Sequence, residues 1–165
     1  MSLNIEIKKI SEEEIPILSE LATSILREHF DPIIGKAQND YMLEKFQSIS
    51  AIKEQFKKGY LYYWVKFENK NIGFLAFYPV ENKLYLSKFY LLKEYRGKKI
   101  SRKMLEFLVN YAKDKKLKSI YLNVNKHNDL AVNVYKHLGF IIIREEKNDI
   151  GNGFYMDDFV FEYTI

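Results

Sequence analysis

The chain has 165 residues, 47% of them hydrophobic and 29% charged, a balance that fits one globular domain with a substantial core and argues against disorder. The absence of cysteine excludes disulfides, thiolate metal sites and a cysteine nucleophile. The net charge is +4 and the pI about 9.0, but the basic residues are interleaved with 22 acidic ones, and no basic block indicates a nucleic-acid partner.

The N-terminal region predicts a strand followed by a helix. Residues 4–10 alternate between apolar and polar side chains, which is typical of an edge strand. A capping box of Ser11 and Glu14 opens the helix, which is expected to run to about His29. The apolar face of this helix is formed by Ile15, Leu18, Leu21, Ala22, Ile25 and Leu26. Residues 1–3 could in part be an expression remnant.

A second helical region is predicted after a proline. Phe30-Asp31-Pro32 is expected to end the first helix, and residues 33–39 are expected to form a loop. The next helical pattern extends over residues 41–58, with a candidate break at Ser48-Ile49-Ser50 and Gly59 as its end.

Three consecutive strands should follow. They are expected at residues 60–67, 72–80 and 84–92. Turns at residues 68–71 and 81–83 connect them, and Gly73 is interpreted as a point of close backbone approach. The third strand is rich in leucine and aromatic residues, so we interpret it as buried on both faces.

A short basic turn then leads into a helix expected over residues 100–116. The apolar stripe of this helix is Ile100, Met104, Leu108, Tyr111 and Ala112, with Phe107 beside it. The first N–H groups of a helix have no intrahelical partner and lie at the positive end of its dipole, so the turn could bind a phosphate or pyrophosphate. Four basic residues lie in or next to this turn: Arg96, Lys98, Lys99 and Arg102. On this stretch alone, a solvated strand–turn–helix joint is an equal alternative.

The C-terminal part predicts three more strands and a capped helix. The strands are expected at residues 119–124, 140–146 and 154–165, with a turn at 148–153. Asn128 caps a helix over residues 129–138, and Gly139 ends it. Its apolar face is predicted to be Leu130, Ala131, Val134, Tyr135 and Leu138. This order of elements predicts a mixed α+β fold, with about seven strands in a mixed sheet flanked by about four helices.

Two motifs in this order resemble the GNAT superfamily of N-acetyltransferases. Its Gln/Arg-x-x-Gly-x-Gly/Ala turn is met by Arg96, whereas Lys99 and Ser101 replace the small residues. Its Asn-x-x-Ala-x-x-x-Tyr-x-x-x-Gly-Phe helix is met at every fixed position, by Asn128, Ala131, Tyr135, Gly139 and Phe140. The resemblance is strong over residues 60–145. It implies a single GNAT domain over residues 1–165, with a mostly antiparallel central sheet.

The resemblance also implies an acetyl-CoA-dependent enzyme that needs no metal. By matching, backbone groups of the basic turn hold the pyrophosphate, and those of the preceding strand hold the pantetheine arm and the thioester carbonyl. The expected cofactor-binding residues are Phe89, Tyr90, Leu91, Arg96, Gly97, Lys98, Lys99, Ile100, Ser101, Arg102, Asn128 and Tyr135. A lysine in place of glycine at position 99 should limit positive φ there, so we expect a local difference in the loop.

The resemblance assigns Tyr135 as the acid that protonates the departing thiolate; its plainer interpretation is a core aromatic. A phenol, with a reference pKa of about 10, holds its proton at neutral pH. The general base stays open, because Asn123 and Ser87 stand where family members carry carboxylates. The alternatives are a water held by backbone carbonyls, or a carboxylate from elsewhere: Glu28, Asp157 or Asp158.

The C-terminal tail is similar to that of diamine and spermidine acetyltransferase-like members, which implies a small cationic acceptor with a primary amine, such as a polyamine. The expected acceptor-binding residues are Glu28, His29, Phe30, Tyr155 and Asp157. Carboxylates and aromatic faces suit a cationic amine, although the carboxylates could merely solvate an edge strand.

Three other functions are retained as alternatives: a protein N-terminal acetyltransferase, a non-catalytic acyl-CoA-binding domain, and a basic nucleic-acid-binding domain. No apolar run approaches the roughly 20 residues of a membrane span, and no signal-peptide pattern is present. We therefore expect a cytoplasmic protein without a membrane or nucleic-acid partner; a homodimer is left open.

Overall fold

A computed structural model describes residues 4–165, so the interpretation of residues 1–3 as an expression remnant lies outside the described residues. The chain forms two compact units. The first contains residues 4–78 and 88–104, and the second contains residues 79–87 and 105–165.

Residues 4–165 form seven strands and five α-helices. The strands are β1 (Ile5–Lys9), β2 (Leu61–Phe67), β3 (Lys70–Val80), β4 (Lys83–Leu91), β5 (Ser119–Asn125), β6 (Ile141–Gly151) and β7 (Phe154–Thr164). The helices are α1 (Ile15–Ile34), α2 (Lys36–Gln47), α3 (Ile49–Lys57), α4 (Ile100–Asp114) and α5 (Asp129–Leu138). The strands follow the order β1-β2-β3-β4-β5-β7-β6, which confirms the predicted seven-stranded α+β fold. No helix in this described range is long and apolar enough to cross a membrane.

In the first unit, an antiparallel meander packs against the N-terminal helices. β2 pairs with β1 and β3, with Trp64 opposite Phe74 on neighbouring strands. The apolar face predicted for α1 lies in the same buried cluster as Tyr62 and Trp64, which are 1% and 0% exposed. Burial of this amphipathic face supplies most of the stability of such a helix.

The predicted end of α1 and the loop at residues 33–39 are wrong. The helix continues through Pro32, because a proline in the last turn removes only one backbone hydrogen bond. Gly35, with φ 85°, then separates α1 from α2. Asn39 lies on α2, and its Nδ2 donates to Asp31 Oδ1 at 2.7 Å, which fastens the two helices together.

The candidate break in the second helical pattern is confirmed. Ser48 is extended and caps α3, with its Oγ accepting from the Ala51 N–H at 3.2 Å. The pattern therefore contains two helices, and residues 4–165 have five α-helices where about four were expected.

In the second unit, β7 lies between β5 and β6 and is antiparallel to both. The parallel ladder between β4 and β5 contains the pairs Leu84–Ile120 and Tyr85–Tyr121. On its other side, the whole of β5, residues 119–125, pairs with β7.

Three expectations about the strands and helices of the second half need correction. β4 is not buried on both faces, because Tyr85 is only half-buried beside buried neighbours. β6 runs on to Gly151, since left-handed Asn152 and Gly153 form a tight hairpin where a longer turn was predicted. On α5, Leu130 is 54% exposed. The buried face of α5 is Val132, Tyr135 and Leu138.

Candidate functional site

The turn between β4 and α4 contains left-handed backbone. Gly97 (φ 76°) and Lys99 (φ 65°) are both left-handed, and turns of this kind can gather N–H groups into a concave anion site. α4 begins at Ile100, so its first N–H groups and its dipole add positive potential to the same segment. The expectation that lysine would limit positive φ at position 99 is wrong. Lys99 adopts that conformation, which costs an L-residue roughly 1–2 kcal/mol.

The cations of this turn divide into two kinds. Three are exposed and surround the turn: Lys98, Lys99 and Arg102. Arg96 is instead engaged with the protein. Its Nη2 lies 3.0 Å from Glu28 Oε2, and its Nε donates to the Leu91 carbonyl at 3.2 Å. Arg96 therefore ties the start of the turn to the end of β4 and to α1.

The end of β4, where Phe89, Tyr90 and Leu91 lie, is held close to β3. An added Cβ on Gly73 would lie 2.8 Å from Leu91 Cδ2 and would also collide with the Tyr90 carbonyl oxygen. Only glycine allows this approach, as the sequence predicted. The Tyr90 ring packs on Phe74, with centroids 5.5 Å apart.

The first unit also contains a buried lysine that sequence reasoning missed. Lys88 on β4 is 5% exposed and points its Nζ at oxygen acceptors. It donates to the Phe46 carbonyl at 3.1 Å, to Gln47 Oε1 at 3.1 Å, to Gln55 Oε1 at 2.9 Å and to the Tyr62 hydroxyl. Burial lowers the pKa of Lys88 to about 7. The available signal was a lysine within an otherwise apolar run.

The acceptor residues predicted on α1 lie in the first unit. Glu28 forms the ion pair with Arg96, so its carboxylate already faces a cation. His29 contacts Phe30 edge to face, with ring centroids 4.7 Å apart, and Phe30 in turn contacts Tyr90 at 6.4 Å.

In the second unit, the helix motif has the local geometry that its sequence predicts. Asn128 is 4% exposed and its Oδ1 accepts from the Ala131 N–H at 3.2 Å, so it caps α5. Tyr135 is 9% exposed, and its ring packs against Phe140 and Phe161 at centroid distances of 5.5 and 6.0 Å. The ring is thus held in place by the core of this unit.

A polar network crosses four strands of the second unit. Asn123 on β5 accepts from the Tyr85 hydroxyl at 3.1 Å through Oδ1. Its Nδ2 donates to Asp158 Oδ2 at 3.3 Å and to Glu146 Oε2 at 3.2 Å. Burial raises the pKa of Asp158 to about 6, and the neighbouring Asp157 and Glu146 carboxylates add to the rise.

The remaining predicted acceptor residues lie on β7. Asp157 is ion-paired with Lys126 at 3.1 Å, and Tyr155 is 48% exposed, with Lys147 Nζ 5.1 Å from its ring centroid. Asp157 therefore faces a cation, as Glu28 does in the first unit.

Comparison with known proteins places these motifs in a family. The Acetyltransferase (GNAT) family matches residues 22–140. A probable spermine N(1)-acetyltransferase of Bacillus subtilis subsp. natto (strain BEST195) is 33% identical over 83 residues. A spermine/spermidine N(1)-acetyltransferase of Bacillus subtilis (strain 168) is 32% identical over 83 residues. Each match covers 45% of this chain and 55% of the relative, so it spans about half the relative's length.

Among solved structures, the fold is similar to that of the PaiA N-acetyltransferase from Thermoplasma acidophilum in complex with coenzyme A. The TM-score is 0.81 at 24% identity, with 99% of this chain and 100% of that chain covered.

Proposed function

The chain belongs to the acetyltransferase (GNAT) family, and from that premise we propose that it moves the acetyl group of acetyl-CoA directly to a primary amine of a small cationic molecule, such as a polyamine. The observation that carries the proposal is the left-handed basic turn at the start of α4. This turn supports acetyl-CoA as the acetyl donor. Oriented N–H groups at a helix N-terminus suit a pyrophosphate, and exposed lysines add to its attraction.

The proposed chemistry needs a bound thioester, a neutral amine and a proton for the leaving thiolate. Backbone groups of Phe89, Tyr90 and Leu91 are proposed to hold the pantetheine arm and the thioester carbonyl. Asn128 is proposed to contact the cofactor while it caps α5. Tyr135 is proposed to donate its hydroxyl proton to the thiolate, and the packing of its ring supports this role by limiting its rotation.

A cationic acceptor is supported by the charge of the C-terminal hairpin. Between residues 144 and 158 the chain has five carboxylates and two basic side chains, although the whole chain has a net charge of +4. Glu28 and Asp157 already form ion pairs, but their side chains are 39% and 40% exposed. Exposed pairs contribute at most about 1 kcal/mol, so a polyamine ammonium can compete for these carboxylates. The two Bacillus relatives are named for spermine and spermidine.

The aromatic partners proposed for the acceptor are Phe30 and Tyr155, with His29 beside Phe30. Cation–π contact with such rings is worth roughly 0.5–1 kcal/mol at exposed sites. This contribution would favour ammonium groups over neutral acceptors.

The test is an initial-rate study with acetyl-CoA and spermidine as varied substrates. Direct transfer predicts intersecting reciprocal plots and no acetylated protein when the acceptor is left out. The chain has no cysteine to carry an acetyl group. Parallel plots, or an acetyl-protein intermediate, would contradict direct transfer.

Tyr135→Phe tests the acid in the same assay. It should lower turnover on the order of 10²-fold, because only the proton donor is lost. Calorimetry should show acetyl-CoA binding nearly unchanged. If the folded variant keeps the wild-type turnover, Tyr135 is not the acid and its role is packing.

A further inference from the structure

We infer that the carboxylate of Asp158 takes the proton from the acceptor amine and that Asn123 positions this carboxylate, an assignment that rests on the proposed function. The general base is the role for which the sequence offers several candidates: a water, Glu28, Asp157 or Asp158. The partners of these carboxylates distinguish among them.

The Asn123 amide is held between one hydroxyl and two carboxylates. The side chains of Asn123, Glu146 and Asp158 belong to three adjacent strands, and Glu146 lies directly opposite Asp158 in the β6–β7 register. Asn123 Oδ1 accepts from Tyr85, while Nδ2 donates to both carboxylates. Because the amide oxygen accepts one hydrogen bond and the amide nitrogen donates two, the amide has one preferred orientation. In this orientation its N–H faces Asp158. The Asn123 amide cannot accept a proton at neutral pH, but it is hydrogen-bonded to the Asp158 carboxylate, which can.

The carboxylates that could act as the base differ in their partners. Glu28 pairs with Arg96, Asp157 pairs with Lys126, and Glu146 lies 2.8 Å from Arg144 Nε. Asp158 is 2% exposed, and no basic side chain of the described residues forms an ion pair with it. A buried carboxylate held mainly by one amide is costly to ionise, and such groups are concentrated at reaction sites.

Burial and neighbouring charges shift the pKa of Asp158. Burial raises the pKa of Asp158 to about 6, and the carboxylates of Asp157 on the same strand and Glu146 on β6 also raise it. The Asn123 amide and Lys126, which follows β5, lower it. Tyr85 on β4 is linked to this group through Asn123. A base with a pKa near the working pH is both ionised and able to hold a proton, which favours general-base catalysis.

In the proposed step, the ammonium R–NH₃⁺ gives one proton to the Asp158 carboxylate. The neutral nitrogen then attacks the thioester carbon, forming the C–N bond. The C–S bond breaks, and the thiolate takes the Tyr135 proton. The nitrogen loses its second proton, which restores the phenol through solvent, and Asp158 releases its proton to solvent. The products are the amide, CoA thiol and one proton.

The experiment compares Asp158→Asn with Asp114→Asn by measuring kcat/KM for spermidine from pH 5 to 9. Wild type should show an acidic limb with a midpoint near pH 6. Asp114→Asn should keep that limb, because Asp114 is an exposed carboxylate at the end of α4, outside this network. Asp158→Asn should lose the limb and about 10²-fold of its activity, while acetyl-CoA still binds in calorimetry. A limb that persists in Asp158→Asn would overturn the inference.

Asn123→Leu is the second variant, and it carries the test alone if Asp158→Asn does not fold. Losing the hydrogen bond to the ionised carboxylate should move the limb to higher pH. A limb left in place would overturn the positioning role. If the wild-type protein acetylates no amine, the proposed function itself is refuted. If the wild type is active and both variants keep its pH profile, only the assignment of Asp158 is refuted.

Discussion

At the scale of single residues, Lys99 shows how a local rule is broken at a proposed binding turn. A residue with a Cβ occupies the left-handed region where family members have glycine, and the turn still forms. Strained backbone of this kind persists where the surroundings determine the conformation. In this protein the strain coincides with an exposed lysine that can meet a phosphate.

The corresponding prediction is that Lys99→Gly raises the free energy of unfolding by about 1 kcal/mol, because the left-handed cost disappears. Chemical denaturation measures the change. Lys98→Gly is the matched control: it removes the same charge one residue earlier, where φ is not positive, and it should not stabilise. Equal losses in the two variants would show that strain at position 99 is negligible.

The sequence predicted the residues whose roles are local. Asn128 and Gly139 act within a few residues of their own helix, so spacing alone located the α5 cap and end. Lys88 and Asp158 could not be assigned in this way, because their roles depend on partners far along the chain. Asn123 reaches an aspartate 35 residues away, and no local pattern specifies that pair.

At the scale of elements, the junction between α2 and α3 is held by Lys88. Its ammonium donates to the Phe46 carbonyl and to Gln47, at the end of α2, and to Gln55 on α3. A cation at a helix C-terminus is favoured by the dipole. Burial also makes the charged form of Lys88 costly. The stability that Lys88 gives to this junction should therefore depend on pH.

The second prediction concerns that dependence. The pKa of Lys88 is about 7 in the folded protein against 10.5 for the ordinary side chain. Between these pH values the unfolded chain holds a proton that the folded protein has released, so stability rises with pH. From pH 7 to pH 10, the free energy of unfolding of wild type should rise by roughly 3–4 kcal/mol relative to that of Lys88→Met.

Equilibrium denaturation of both proteins across this pH range measures the gain. Lys53→Met, which changes an exposed lysine on α3, should instead run parallel to wild type. Parallel curves for Lys88→Met would mean that the folded protein keeps Lys88 fully charged.

Element boundaries were predicted least well, and for physical reasons. The sequence predicts the end of α1 at residues 30–32, whereas α1 continues to Ile34 and contacts α2 there. The exposed Leu130 and the buried Val132 show that the buried face of α5 is set by its neighbours and not by hydrophobicity alone.

At the scale of the whole molecule, the number and kind of strands followed from the sequence, whereas their spatial order did not. β7 enters between β5 and β6, so the last strand supplies Asp158 to a network that begins on β4. The charge distribution is likewise uneven: the β6–β7 hairpin is acidic within a basic chain. Opposite local charge can raise the encounter rate of a cationic substrate.

The most direct test of the account is a competition assay. Limiting acetyl-CoA is mixed with equal amounts of spermidine, free lysine, an aminoglycoside and a peptide with a free N-terminus, and the products are identified by mass spectrometry. The account predicts one acetyl group on spermidine, with CoA released in equal amount and little product from the other amines. Acetylation of the peptide alone would contradict the polyamine assignment in favour of a protein N-terminal acetyltransferase, and bound acetyl-CoA with no acetylated amine would contradict catalysis altogether.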